Sequence, residues 1–186
     1  MRYPRNHRAN TRDTLLRESA ALAKREGFAA SGVDALARAA GVTSGAFYKH
    51  FGGKDALLSA ICEAELDATR ARFAAIEPGA TEQVLRAVDM YLSLAHVQNP
   101  AMGCALPALS AEIGRAPEQT RLAFERAFEE LIAVIAEKVG AKAVGSALVT
   151  QCVGAVTLAR ALATEGAQRE LLQAARRAAR AILGAG

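Results

Sequence analysis

The chain is poor in proline and in aromatic residues. Among its 186 residues there are five prolines and no tryptophan, and aromatic residues make up 5%. This composition excludes a β-sandwich, a β-barrel and a collagen-like repeat. The chain is instead rich in alanine and in other strong helix formers, and 52% of its residues are hydrophobic, so it can bury a sizeable core. The fold class predicted from composition is all-α.

Cysteine is also scarce. Cys62, Cys104 and Cys152 lie far apart and are odd in number. A zinc site or a dithiol redox motif needs closely spaced pairs, so no metal, no cofactor and no disulfide scaffold is predicted. This cysteine usage is typical of a reduced, intracellular chain.

Long apolar runs are missing as well. The basic N-terminal segment leads into Arg17 and Glu18 without an apolar stretch behind it, so it is not expected to be a secretory signal. The longest uncharged helical stretch, residues 143–159, contains Ser146 and Thr150 and is expected to be too short to span a bilayer. We therefore expect a cytoplasmic protein with no membrane partner.

Positive charge is concentrated near the N-terminus. Residues 1–53 carry nine Lys and Arg against four Asp and Glu, whereas residues 54–186 carry fourteen against fifteen. The sequence thus predicts a basic domain at 1–53 and a nearly neutral body at 54–186. Four arginines in the first twelve residues predict an irregular arm that suits a polyanion, although a solvated, frayed terminus fits them equally well: Arg2, Arg5, Arg8 and Arg12.

The basic domain has the pattern of three short helices. Asn10 and Asp13 predict the start of a helix over about 11–26, which ends at Gly27. Apolar residues at helical spacing predict a two-turn helix that begins at Val33 and is closed by Gly41, and a third helix follows over 44–50. Two short helices joined at a glycine indicate a helix-turn-helix, whose second helix fits a DNA major groove. Periodicity alone also fits three helices of an ordinary bundle.

The string at residues 39–58, AAGVTSGAFYKHFGGKDALL, is more specific. It resembles the DNA-binding domain of the TetR family of transcriptional regulators, whose pattern reads AAGVS-x-G-x-hydrophobic-Y-x-H-F followed shortly by K-x-x-L. The matching residues are Gly41, Val42, Gly45, Phe47, Tyr48, His50, Phe51, Lys54 and Leu57. The resemblance is tight over about residues 11–66, and it is looser through the rest of the chain.

This resemblance implies a DNA-binding surface. It places Ser44, Gly45, Ala46 and Lys49 toward base edges, and Tyr48, His50 and Lys54 toward phosphates, with Thr43 in the same surface. Family members commonly carry Thr or Ser directly before the position of Val33, as a helix cap that touches a phosphate. Here that position is Gly32, so the cap contact is expected to be displaced to Ser31 or lost.

The body is predicted to be helical throughout. Apolar stripes predict helices over about 54–76, 81–98, 118–139, 142–164 and 168–183, with an irregular apolar segment at 101–114. The whole chain is then expected to have about nine helices. In the family the last two helices form the dimer interface, so the resemblance implies a homodimer through 142–164 and 168–183.

A ligand pocket is expected in the body. Soft and aromatic side chains without fixed charge suit a small, mostly apolar ligand, and ordinary core packing also explains them. The candidate lining residues are Met90, Tyr91, Leu94, Met102, Cys104, Phe124 and Phe128. For Cys104 two interpretations stay open: a buried structural thiol, or a reactive thiol near the start of a helical segment.

Together these features predict a one-component regulator, a repressor rather than an activator, that binds a palindromic double-stranded DNA operator as a dimer and is released by a small inducer. An enzyme is disfavoured, because the chain has no phosphate-binding glycine loop, no HExxH and no GxSxG motif. The alternative is an architectural DNA-binding protein without a ligand, whose N-terminal domain would have the same sequence pattern.

Overall fold

The computed structural model describes residues 5–184, with side chains described from Asn10 onward. This part of the chain is all-helical, and it contains ten α-helices and one 3₁₀ turn. The α-helices are α1 (Arg5–Glu26), α2 (Val33–Ala39), α3 (Ser44–Phe51), α4 (Lys54–Ala74), α5 (Thr81–Tyr91), α6 (Leu94–Gln98), α7 (Leu106–Ile113), α8 (Glu118–Val139), α9 (Lys142–Ala161) and α10 (Glu165–Ile182), and the 3₁₀ turn is Pro100–Met102. The predicted all-α class is confirmed, and the expected count of about nine helices becomes ten.

The predicted helix-turn-helix is present as α2 and α3. Gly41 ends α2 with a φ of +68°, a left-handed conformation that glycine adopts without steric cost. Gly52 ends α3 in the same way, with a φ of +70°. The local sequence therefore explains both ends of this motif.

The N-terminal arm differs from the prediction. Helix α1 begins at Arg5, so Asn10 lies inside the helix and does not cap it. The preference of asparagine for a cap is a weak prior, and strong helix formers on either side continue the helix. Residues 1–4, including Arg2, lie outside the described residues.

Two helices of the body, α6 and α7, were not predicted from the sequence. The predicted helix at 81–98 is broken after Tyr91, and a second short helix, α6, begins where Ser93 accepts a hydrogen bond from the backbone N–H of His96. Arg176 of α10 donates to the carbonyls of Leu92 and Asp89 and so satisfies the end of α5. That contact is between distant parts of the chain, and periodicity does not reveal it.

The segment at 101–114 is also more regular than expected. Pro107 lies in the first turn of α7, where a missing N–H costs little. Further on, the last break falls between α9 and α10, at Leu162 to Thr164, and not at Gly166 as predicted, because Thr164 caps α10.

The N-terminal helices and the body share buried surface. Leu15, Leu36 and Phe47 of the first three helices are fully buried in one cluster with the first turns of α4. Leu109 and Ile113 of α7 complete the same cluster from the body side. Helix α4 continues along α8, and α9 packs between α8 and α10. The three N-terminal helices are thus held to the body through α4 and α7.

Helix α9 has 20 residues and is, in the described part of the chain, the one helix long and apolar enough to cross a membrane by length and composition. The expectation that this stretch is too short is therefore wrong. On its inner side, Leu148, Val156 and Ala159 belong to the buried core. A helix that is buried in a protein core meets the same criteria of length and composition.

Candidate nucleic-acid interface and ligand cleft

Helix α3 is fixed by its inner face. Phe47 is 0% exposed, and its ring centroid lies 6.2 Å from that of Phe51, which is also buried. Thr43 caps the helix by accepting a hydrogen bond from the backbone N–H of Ala46 at 3.2 Å. Since the inner face is anchored, the opposite face of α3 is held toward solvent.

The outer face carries most of the residues predicted to bind DNA. Tyr48 is 54% exposed, and Gly45 and Lys49 are also exposed. Ala46 and His50 are half-buried beside them. A tyrosine hydroxyl and a lysine ammonium on the exposed face of a helix are groups that contact phosphates and base edges.

Two hydroxyls of the predicted surface have structural partners. Ser31 is 4% exposed, and its Oγ donates to the carbonyl of Gly27 at 2.8 Å, while the cap position Gly32 has no side-chain hydrogen bond. Ser31 therefore does not cap α2, and of the two expected outcomes the structure shows that the side-chain cap is lost. Ser44 Oγ donates to the carboxylate of Asp34, which ties α3 to α2.

Lys54 is held at the edge of this surface. Its Nζ donates to the carbonyl of Ala29 at 3.1 Å and lies 4.9 Å from the ring centroid of Phe28. The ammonium has three donors, so one bond to the protein leaves donors for a phosphate. On α1, the guanidinium of Arg12 lies 5.0 Å from the ring centroid of Phe51 and adds a cation that motif matching does not reveal.

The structure also shows two long-range contacts that join the N-terminal helices to the body. Glu112 of α7 accepts hydrogen bonds from the backbone N–H groups of Phe28, at 2.9 Å, and Ala29, at 2.5 Å. Lys24 of α1 is 8% exposed, and its Nζ donates to Glu65 of α4 at 2.9 Å and to the carbonyl of Gly103 at 2.8 Å. The partners lie 41 to 84 positions apart, so no local pattern could have indicated them.

A wide cleft of about 980 Å³ lies between α1, α4, α5 and the segment that follows α6. A smaller pocket of about 60 Å³ opens beside it among α4, α5, α8 and α9, and its lining is almost entirely apolar. Five residues line both spaces: Thr69, Phe73, Ala87, Tyr91 and Cys104. The cleft and the pocket are therefore adjacent parts of one candidate ligand site.

The predicted ligand residues divide into two groups. Tyr91 and Cys104 line both the cleft and the pocket, while Met90 and Met102 lie on the cleft wall and are 71% and 87% exposed. The other three, Leu94, Phe124 and Phe128, line neither space. The two phenylalanines are stacked with centroids 5.7 Å apart and pack against the core, as the alternative interpretation predicted.

A polar cluster forms the wall of the cleft around His96. Its Nε2 accepts from the backbone N–H of Cys104 at 3.1 Å, so its Nδ1 carries the proton and donates to the carbonyl of Tyr91 at 2.7 Å. Burial lowers the pKa of His96; the hydrogen bond to Tyr91 opposes this shift, and the charges of Arg160 and Lys24 reinforce it. His96 is therefore neutral near pH 7.

The hydroxyl of Tyr91 and the thiol of Cys104 in this wall are also kept neutral. Burial raises the pKa of the Tyr91 hydroxyl and that of the Cys104 thiol. Away from the cleft wall, burial raises the pKa of Cys62 and of Cys152 to about 12. Within the described residues no group of three or more His, Cys, Asp or Glu is placed to hold a metal ion.

Comparisons with known proteins agree with this geometry. Residues 15–61 match the family model described as bacterial regulatory proteins, tetR family. No curated protein is significantly similar to the chain.

Solved structures of similar fold include the reduced form of NemR from E. coli, with 22% identity, a TM-score of 0.78 and coverage of 93% of this chain and 97% of that one. A TetR transcriptional regulator from Chloroflexus aurantiacus has 20% identity, a TM-score of 0.73 and coverage of 92% and 95%. A TetR-family regulator from Streptomyces coelicolor has 21% identity, a TM-score of 0.71 and coverage of 95% of each chain. At these identities the likeness shows the fold.

The helix-turn-helix, the match at residues 15–61 and the fold of the whole chain lead to one class of protein. The predicted resemblance is confirmed, and the rival class of enzyme is set aside. Residues 15–61 match the N-terminal domain of the bacterial regulatory proteins of the tetR family, and the whole chain has the fold of solved TetR-family regulators.

Proposed function

We propose that the protein is a cytoplasmic, ligand-responsive repressor. A DNA-binding domain at residues 1–53 binds one half of a palindromic operator, and the body at residues 54–186 dimerises and binds a small inducer. A two-fold dimer places its two recognition helices in successive major grooves, about one helical turn apart. Release requires that the inducer bind more tightly to the form in which the two helices no longer match that spacing.

The DNA-binding role rests on the outer face of α3. Tyr48 and Lys49 are exposed there, while Phe47 and Phe51 hold the helix from behind. Gly45 and Ala46 are small enough to let the helix backbone approach the groove floor, and Ala46 is suited to contact a thymine methyl. Lys54 supplies a cation at the start of α4, beside free backbone N–H groups that favour a phosphate oxygen.

The observation that carries the ligand response is the position of Lys24. This side chain belongs to α1, yet its ammonium bonds to Gly103 and Glu65, which both line the cleft. A ligand that fills the cleft therefore contacts groups to which the DNA-binding helices are directly bonded. Because buried charged hydrogen bonds keep a narrow geometry, a shift of Gly103 is passed on to α1.

The DNA-binding role is tested with double-stranded DNA selected from a random pool by the full-length protein. In a gel-shift titration, Tyr48→Phe and Lys54→Ala should weaken binding to all sequences, and Lys54→Ala should reduce the salt slope by about one. Lys49→Ala should change the preferred sequence. Arg121→Ala, an exposed cation on α8, serves as the control and should leave binding unchanged. Unaltered binding in the three α3 and α4 variants would exclude this surface.

The ligand response is tested by screening small molecules for release of the selected DNA. In the proposed mechanism, Lys24→Met retains DNA binding but needs more inducer for release. Protection of a single asymmetric half-site in a footprint would contradict the dimeric model. Stable binding that no compound reverses would instead support the alternative of an architectural DNA-binding protein.

A further inference from the structure

The charges that line the cleft do not balance. Its wall carries four basic side chains and two carboxylates. Glu18 pairs with Arg17 at 3.0 Å, and Glu65 pairs with Lys24 at 2.9 Å. The remaining two basic side chains are Arg72 of α4 and Arg86 of α5. Both are exposed and form no ion pair with any side chain between residues 10 and 184.

A third arginine lies directly behind this wall. The guanidinium of Arg160 packs so closely on Gly103 that a Cβ added there would lie 3.0 Å from Nη2. Its Nη2 donates to the carbonyl of His96 at 3.2 Å, while Nε and Nη1 are buried without a hydrogen-bond partner. Arg160 is half-buried and has no counter-ion among the described residues, and such a cation favours a negative charge in the adjacent space.

The opposite end of the site is apolar. The inner pocket is lined by side chains such as Leu131, Ile135 and Leu148, and it carries almost no polar surface. Between the two ends stands Tyr91, whose Oη is buried without a hydrogen-bond partner of ordinary geometry, with the Cys104 thiol as a neighbour. An unsatisfied buried hydroxyl is unfavourable until a ligand supplies a partner.

We propose that the cleft binds an amphipathic organic anion, whose apolar chain or ring enters the inner pocket and whose negative group faces Arg72 and Arg86. This inference rests on the proposed function, and it specifies that the mostly apolar inducer carries a single anionic group. The anion neutralises the excess positive charge of the wall, and Tyr91 donates its hydroxyl proton to a polar atom of the ligand. A neutral ligand of the same shape leaves all three arginines without a counter-ion.

The test compares ligands that differ only in charge. Calorimetric titration of the full-length protein is done with octanoate, decanoate and 2-naphthoate, each against its neutral counterpart, octan-1-ol, decan-1-ol and 2-naphthol, below any micelle concentration. At least one carboxylate should bind about tenfold or more tightly than its neutral counterpart, as expected for a charge-assisted hydrogen bond. Decyltrimethylammonium should bind more weakly than either member of the decyl pair.

The variants assign the effect to the cleft. Arg72→Gln and Arg86→Gln should each weaken carboxylate binding several-fold and leave binding of the alcohols unchanged. Arg126→Gln removes an exposed arginine from α8 that lines neither space, and it should change nothing. Tyr91→Phe removes only the hydroxyl and should weaken both classes of ligand.

Several results would overturn the inference. These are equal affinity for carboxylate and alcohol, no binding of any carboxylate, or carboxylate affinity that neither arginine variant changes. A DNA-release assay with the same compounds separates the two proposals. If only a neutral compound releases the DNA, the proposal of a ligand-responsive regulator is supported and the proposal of an anionic ligand is rejected. If carboxylates bind in a manner that depends on Arg72 and Arg86 but release no DNA, the proposed anion site is supported and the proposed ligand response is rejected.

Discussion

His96 is held in one neutral tautomer by two backbone groups, the carbonyl of Tyr91 and the N–H of Cys104. A second proton would have to reside on Nε2, where it would break the bond from Cys104 and would face the charges of Arg160 and Lys24. The native state thus binds this proton less readily than the unfolded chain, whose histidine pKa is about 6.5. Acid should therefore weaken the fold at this position.

His96→Gln should flatten the dependence of stability on pH. Below about pH 6.5 the unfolded state binds more protons at His96 than the native state, so stability falls with pH, by at most about 1.4 kcal/mol per pH unit from one group. This loss ends once pH drops below the lowered native pKa. Urea unfolding of wild type and His96→Gln between pH 8 and pH 5 measures the difference. Parallel pH profiles of the two proteins would contradict a neutral native His96.

The environment of Cys104 favours one of its two predicted interpretations. The N–H of Leu106, at the start of α7, donates to Sγ at 3.4 Å, which stabilises a thiolate slightly. Burial acts in the opposite direction and is the larger influence, so the pKa of the thiol is raised. Because the thiolate is the nucleophile, this cysteine suits the lining of the cleft better than rapid reaction with electrophiles.

Helix α3 is bounded by two features that lie in its own sequence. Thr43 satisfies a free N–H at its start, and Gly52 ends it in the left-handed region. Gly53 follows with a φ of 174°, an extended conformation that any residue adopts. Of these two adjacent glycines, only Gly52 is therefore required by its backbone conformation.

Gly52→Ala should destabilise the protein relative to Gly53→Ala by about 1–2 kcal/mol, since only Gly52 has a positive φ. A Cβ meets no atom within 4 Å at either position, so steric contact does not complicate the comparison. The free energy of unfolding in urea gives the result. If both alanine variants were equally stable, the left-handed end of α3 would not be required.

In the described single chain, much of α9 remains uncovered. Only 33% of the apolar stretch of α9 is buried, and Leu158 on this helix is 60% exposed. Small neighbours such as Ala147 and Ala161 are also exposed and permit close approach of another helix. An exposed apolar helix face of this kind is typical of an interface, and it supports the proposed dimer.

Leu158→Asp should convert the dimer to a monomer, because it places a charge in an apolar contact. The matched control is Leu122→Asp, which changes another exposed leucine, 46% exposed, on α8. Light scattering coupled to size-exclusion chromatography measures both masses, and circular dichroism confirms that both variants are helical. A dimeric Leu158→Asp protein would place the interface elsewhere.

The sequence is informative where structure depends on neighbours along the chain. The helix-turn-helix was predicted with its ends because glycines, a cap and apolar spacing act within a few residues. Body helices were predicted less well: α5 and α6 were merged, since the end of α5 is satisfied by Arg176 from α10.

Only the tertiary structure brings together Lys24, Glu65 and Gly103, or leaves two guanidinium nitrogens of Arg160 buried without a partner. The same holds for Arg72 and Arg86, which are ordinary surface charges by sequence pattern. The physical reason is that helical periodicity and capping are local, whereas burial and charge balance depend on which distant residues share one space.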